Sequence, residues 1–173
     1  MKKMLLLLFI PIMLFSFAPK VAAKEKASML FHLKTGLKHN DAQICVAYNM
    51  IWAALEEGAS VKVLVDADAI NTFKIGWLGK DAIQKYKLPE NLRQGLATQF
   101  EVPFEETPVT YGDFLNMLHD KGAEFYINSA MLVVAGVEDQ LGTVENVSAK
   151  FFKPVTLREM IRFRMNSDFY MVY

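Results

Sequence analysis

Gly122–Val137 reads GAEFYINSAMLVVAGV, and its two halves carry different patterns. Glu124–Asn128 is short, aromatic and β-branched, which suits a strand inside a sheet. Ser129–Val137 follows at once with small and aliphatic residues, which suits a turn into a helix. A strand that runs straight into a helix belongs to an alternating α/β chain.

The flanking sequence repeats that alternation. Ala27–Leu33 (ASMLFHL) predicts a strand, followed by a polar loop, Lys34–Asn40. A helix is expected from Ala42 to Glu57, capped by Asp41, because Ile44, Tyr48, Ile51, Trp52 and Leu55 recur at three- and four-residue spacing. Gly58 ends it at a position that favours the left-handed conformation. Val61–Val65 (VKVLV) is almost wholly apolar, as in a parallel strand covered on both faces, and leads into Asp66-Ala67-Asp68. Ala69–Tyr86 is weakly helical. Lys87–Pro108, broken by Pro89, Pro103 and Pro108, is expected to hold short helices or to form an interface. Thr110–Lys121 predicts a capped helix with Phe114, Leu115 and Leu118 inward. Val147–Phe152 is expected as a short strand, Thr156 and Glu159 form a capping box, and Phe169–Tyr173 ends the chain as a strand. The order specifies an α/β fold, a three-layer α/β/α sandwich with a mostly parallel sheet of about five strands.

The chain begins with a different kind of segment. Lys2 and Lys3 precede an uncharged run, Met4–Phe17, and Val21-Ala22-Ala23 offers small side chains to a signal peptidase. The run is shorter than the roughly 20 residues that span a bilayer, and it contains Pro11. Residues 1–23 therefore read as a cleaved signal peptide and 24–173 as one domain, soluble in the periplasm and off the membrane after cleavage. Removing the signal takes three basic residues and no acidic ones from a chain with 19 of each. No basic stripe remains, which argues against nucleic acid as a partner.

In element order and in Gly122–Val137, the chain resembles the DsrE/DsrF/TusD-like sulfur-relay family. There a G-V-x-x-Y-V-C-x-x-C-type run carries a persulfide. The resemblance covers nearly all of residues 24–173 and implies a trimer or hexamer. It places Asn128 and Met131 where the family has cysteines. An amide and a thioether cannot cycle through a thiolate, so sulfur transfer of the family's kind is not expected.

Ligands of open α/β sheets bind beyond the carboxyl ends of the strands. Here those ends are Lys34–Asp41, Asp66–Asn71 and Asn128–Met131. Candidate ligand-binding residues are accordingly His39, Asp66, Asn128, Ser129 and Met131. The alternatives are plain: Asn128 and Ser129 satisfy the turn, Met131 fills core, and His39 is a solvated loop residue. Cys45 is the lone cysteine, within AQICVAYNM, and is expected buried and inert. His32, His39 and His119 lack metal-ligand spacing, and no G-x-S-x-G, Walker A or G-x-G-x-x-G run is present. No catalytic residue, metal or cofactor is assigned. Trp77, Phe100 and Phe104 read as interface anchors or as core. The leading expectation is a non-catalytic, self-assembling protein that binds a small ligand or a protein partner in sulfur-compound metabolism. The alternatives are a sulfur carrier or thiol enzyme using Cys45, and a structural subunit whose partner supplies the missing cysteine.

Overall fold

A computed structural model describes residues 26–76, 79 and 81–173. The signal-peptide segment and Trp77 lie outside the described residues.

The strands are β1 (Ser28–Leu33), β2 (Ser60–Val65), β3 (Glu124–Asn128), β4 (Lys153–Val155) and β5 (Phe169–Val172), and the helices are α1 (Asp41–Glu56), α2 (Glu90–Gln99), α3 (Tyr111–Asp120), α4 (Ser129–Val134) and α5 (Leu157–Met165). All strands are parallel, in the order β4-β3-β2-β1-β5. The expected α/β sandwich is the observed architecture.

The two faces of the sheet are unequally built. Phe31, Leu33, Val63, Val65, Phe125 and Ile127 point to one face, where Tyr48, Trp52, Phe114 and Leu118 from α1 and α3 close over them. Trp52 stacks on Phe100 with ring centroids 3.9 Å apart and donates its indole N–H to Glu56. Each such fully buried side chain contributes about 1.5–3 kcal/mol, so this face carries most of the stability. On the opposite face a small cluster, Leu30, Leu64, Val155 and Met160, sits under α5. The outer side of α5 leaves Leu157, Ile161 and Met165 exposed at four-residue spacing.

Several boundaries differ from the sequence reading. Asn40, not Asp41, caps α1, its side chain accepting from the Gln43 N–H. In place of the weak helix over Ala69–Tyr86, the described residues include the 3₁₀ turns Ala67–Phe73 and Ile83–Lys85, since the glycines and polar residues here support no longer helix. The proline-broken segment contains the ten-residue α2. Val147–Phe152 is not a strand. Its apolar side chains instead fill the core from a loop, and the strand follows at Lys153–Val155. Helix α4 stops at Val134, because Gly136 takes a positive φ. Phe100 and Phe104 are packed, the latter beneath the Arg93 guanidinium, so neither is a free anchor.

Candidate functional site

The carboxyl ends of β1, β2 and β3 meet along one edge of the sheet, as parallel pairing requires. Val65 registers with Leu33 and with Ile127. The next residues, Asp66 and Asn128, are therefore neighbours, and Nδ2 of Asn128 donates to Oδ1 of Asp66 at 2.8 Å. The other end of the amide is also occupied: Oδ1 of Asn128 accepts the backbone N–H groups of Ala130 and Met131. Asn128 is thus the N-cap of α4 and satisfies the turn on its own. The Ser129 hydroxyl instead accepts the Gly142 N–H at 2.6 Å, and Met131 packs, half-buried, against the main core.

Asp66 faces a second partner that sequence spacing passed over. His32 on β1 is buried, and its Nε2 lies 3.4 Å from Oδ2 of Asp66. Its Nδ1 lies 2.7 Å from the Tyr170 hydroxyl and 3.1 Å from Nη2 of Arg164, which also bonds that hydroxyl. Arginine can only donate, so Nδ1 accepts and the ring proton sits on Nε2, toward Asp66. His32, ahead of the Asn128 and Ala67 N–H groups, holds the Asp66 carboxyl down to about 2 against the upward push of burial. The available signal was a histidine near the end of an apolar strand, on the same face as Leu30 by the two-residue period.

One residue further on, the chain turns sharply. Ala67 adopts φ 49°, a left-handed conformation that side-chain-bearing residues rarely take. Its strain sends Asp66 and Asp68 to different neighbourhoods. Asp68 reaches the β1–α1 loop, where its Oδ2 accepts from the Gly36 N–H at 2.9 Å and lies 2.5 Å from Nδ1 of His39. Its Oδ1 accepts from Asn71 at 3.1 Å. Burial raises its carboxyl pKa, but the bonds from His39, Asn71 and Gly36 more than offset this, leaving it below the ordinary value. A Cβ on Gly36 would come within 2.6 Å of Oδ2, so glycine is what permits this approach. His39 is exposed but anchored, and it borders a cavity of about 320 Å³ with Lys38, Asp68, Asn71 and Tyr86.

The candidate residues therefore separate. Asp66 and Asn128 join in one hydrogen-bonded cluster at the start of α4, with Met131 bonded to it through its backbone N–H and Ser129 bonded to Gly142 instead, whereas His39 belongs to a separate pocket with Asp68. Cys45 joins neither. It is half-buried on α1 beside exposed Val46, a correction to the expected full burial, since α1 turns that edge toward solvent. Burial nevertheless pushes its thiol up, with smaller opposing effects from Tyr111 and Asn49. Beside the β3–α4 turn, an apolar groove of about 660 Å³ runs between Ala130, Leu141, Pro154 and Leu157.

No protein-family model and no curated protein matches the sequence. The fold does have a solved counterpart. The crystal structure of the ychN protein from E. coli superposes with a TM-score of 0.56 and 11% identity, covering 85% of this chain and 99% of that one. At that identity the likeness concerns architecture alone, and it gives the chain a DsrE-like fold.

Proposed function

We propose that this chain is an exported, non-catalytic binding protein with a DsrE-like fold, serving sulfur-compound metabolism by holding a small molecule or partner rather than by transferring sulfur. One observation carries the reading. At the loop position where the resemblance places a persulfide cysteine, the Asn128 amide is committed at both ends, to Asp66 and to the first turn of α4. It caps a turn and offers no nucleophile. The test is incubation of the folded protein with a sulfane-sulfur donor, followed by intact-mass measurement. The expected result is no gain of about 32 Da, one sulfur atom; a stable adduct would overturn the reading.

The thiol-carrier alternative depends on Cys45. Its raised pKa and half-buried position disfavour a thiolate. A thiol reagent is expected to label native Cys45 well below the rate of free cysteine. A second reading, a subunit whose partner supplies the cysteine, draws support from the apolar groove beside Asn128. Self-assembly as a trimer or hexamer draws on the unpartnered stripe Leu157, Ile161 and Met165. Light scattering should find an oligomer that Ile161→Glu dissociates; a monomeric parent would remove self-assembly from the proposal.

A further inference from the structure

The cavity beside His39 has a chemistry of its own. Its charged side chains are Lys38, His39 and Asp68, with the Tyr86 phenol as a further titratable group. Asp68 is the only acid lining it among the described residues, and its oxygens are occupied: Gly36 N–H and His39 Nδ1 lie on Oδ2, Asn71 on Oδ1. A cation entering here would meet N–H groups around a carboxylate already satisfied. No group of three metal-ligating side chains occurs among the described residues. Because Nδ1 is held by Asp68, Nε2 of His39 lies on the opposite side of the ring. Lys38 has no ion-pair partner among the described residues. Leu37 and Ala82 add apolar surface. The volume, about 320 Å³, is at the small end of ligand pockets.

We propose that the cavity between the β1–α1 loop and the turn after β2 binds a small organic anion with a short carbon chain. Its charged group lies between Lys38 and the His39 ring, and its chain lies against Leu37 and Ala82. Asp68 does not touch the ligand. It fixes the His39 ring so that no rotamer search opposes binding, as an orienting carboxylate does elsewhere. The proposal rests on the reading of the chain as a binding protein and names the ligand class of that reading.

The test is an NMR titration of the purified protein with butyrate, butylammonium and butanol at pH 6. Saturable shifts of the His39 ring protons with butyrate, and none with the amine or the alcohol, are expected. Lys38→Ala and His39→Ala should each weaken binding about tenfold, the scale of one charge-assisted hydrogen bond. Both side chains are exposed, so the fold should survive, and unchanged backbone spectra outside the loop would verify it. Equal binding of the amine, no saturable shift with butyrate, or unchanged affinity in both variants would overturn the proposal. The persulfide experiment is independent: sulfur uptake would overturn the non-catalytic reading with this titration unaffected, and a silent titration would remove the anion while leaving that reading intact.

Discussion

Asp66 and Asp68 stand two residues apart at the end of one strand and do opposite things. Asp66 is turned into the sheet edge, where it clamps Asn128 and the buried His32. Asp68 is turned outward, where it steadies an exposed histidine at the lip of a cavity. Both carboxylates are satisfied by several donors, yet one network is sealed and the other open. Hydrogen bonding alone therefore does not distinguish a structural carboxylate from one that serves a site. What the anchored group borders does.

The largest expected effect breaks the sealed side. Asp66→Ala leaves the buried Asn128 amide without its acceptor and removes the carboxylate that faces Nε2 of the buried His32 at 3.4 Å. It should cost about 3 kcal/mol, read as a lower denaturant midpoint at unchanged slope. Asp68→Ala, whose former donors can turn to water, should cost about 1 kcal/mol. Equal losses would erase the contrast. Gly36→Ala comes next, because a Cβ 2.6 Å from Oδ2 of Asp68 must push that carboxylate away. It should cost about 2 kcal/mol and release the His39 ring while leaving the acid titration of Asp66 unchanged.

Acid sharpens the comparison further. With its folded pKa depressed to about 2, Asp66 contributes stability that is fully present above the unfolded value of about 3.9. That contribution is lost as pH falls through about 2. Asp66→Asn should flatten this part of the acid unfolding curve; an unchanged curve would mean that the His32 contact does not hold the carboxylate. The smallest effect lies between the two acids. Ala67→Gly relieves the left-handed strain at φ 49° but adds unfolded-state freedom, for a net gain of about 0.5 kcal/mol in thermal unfolding.

Much of this was legible in the sequence for physical reasons. The short apolar run VKVLV and the abrupt strand-to-helix change at Asn128 are dictated by burial period, and both elements formed where expected. The capping box at Thr156 is local chemistry, and it too is present. Val147–Phe152 misled because apolar residues fill a core equally well from a loop. Of the candidate site, His39 and Asp66 were visible as polar residues beyond strand ends. Their division between two networks was not, since it depends on the left-handed backbone of Ala67, a conformation that alanine does not advertise. His32 was hidden because its partners Asp66, Arg164 and Tyr170 are assembled only by the sheet order.

The most direct measurement compares the parent with Asn128→Cys after exposure to a sulfane-sulfur donor, by intact mass of the folded proteins. The variant gives up the α4 cap and the bond to Asp66, each worth about 1 kcal/mol, and gains a buried thiol at the edge of the sheet. The account predicts that the parent gains nothing, and that Asn128→Cys gains about 32 Da slowly, because burial and the Asp66 carboxylate hold its thiol protonated. Uptake by the parent at Cys45, abolished by Cys45→Ser, would contradict it.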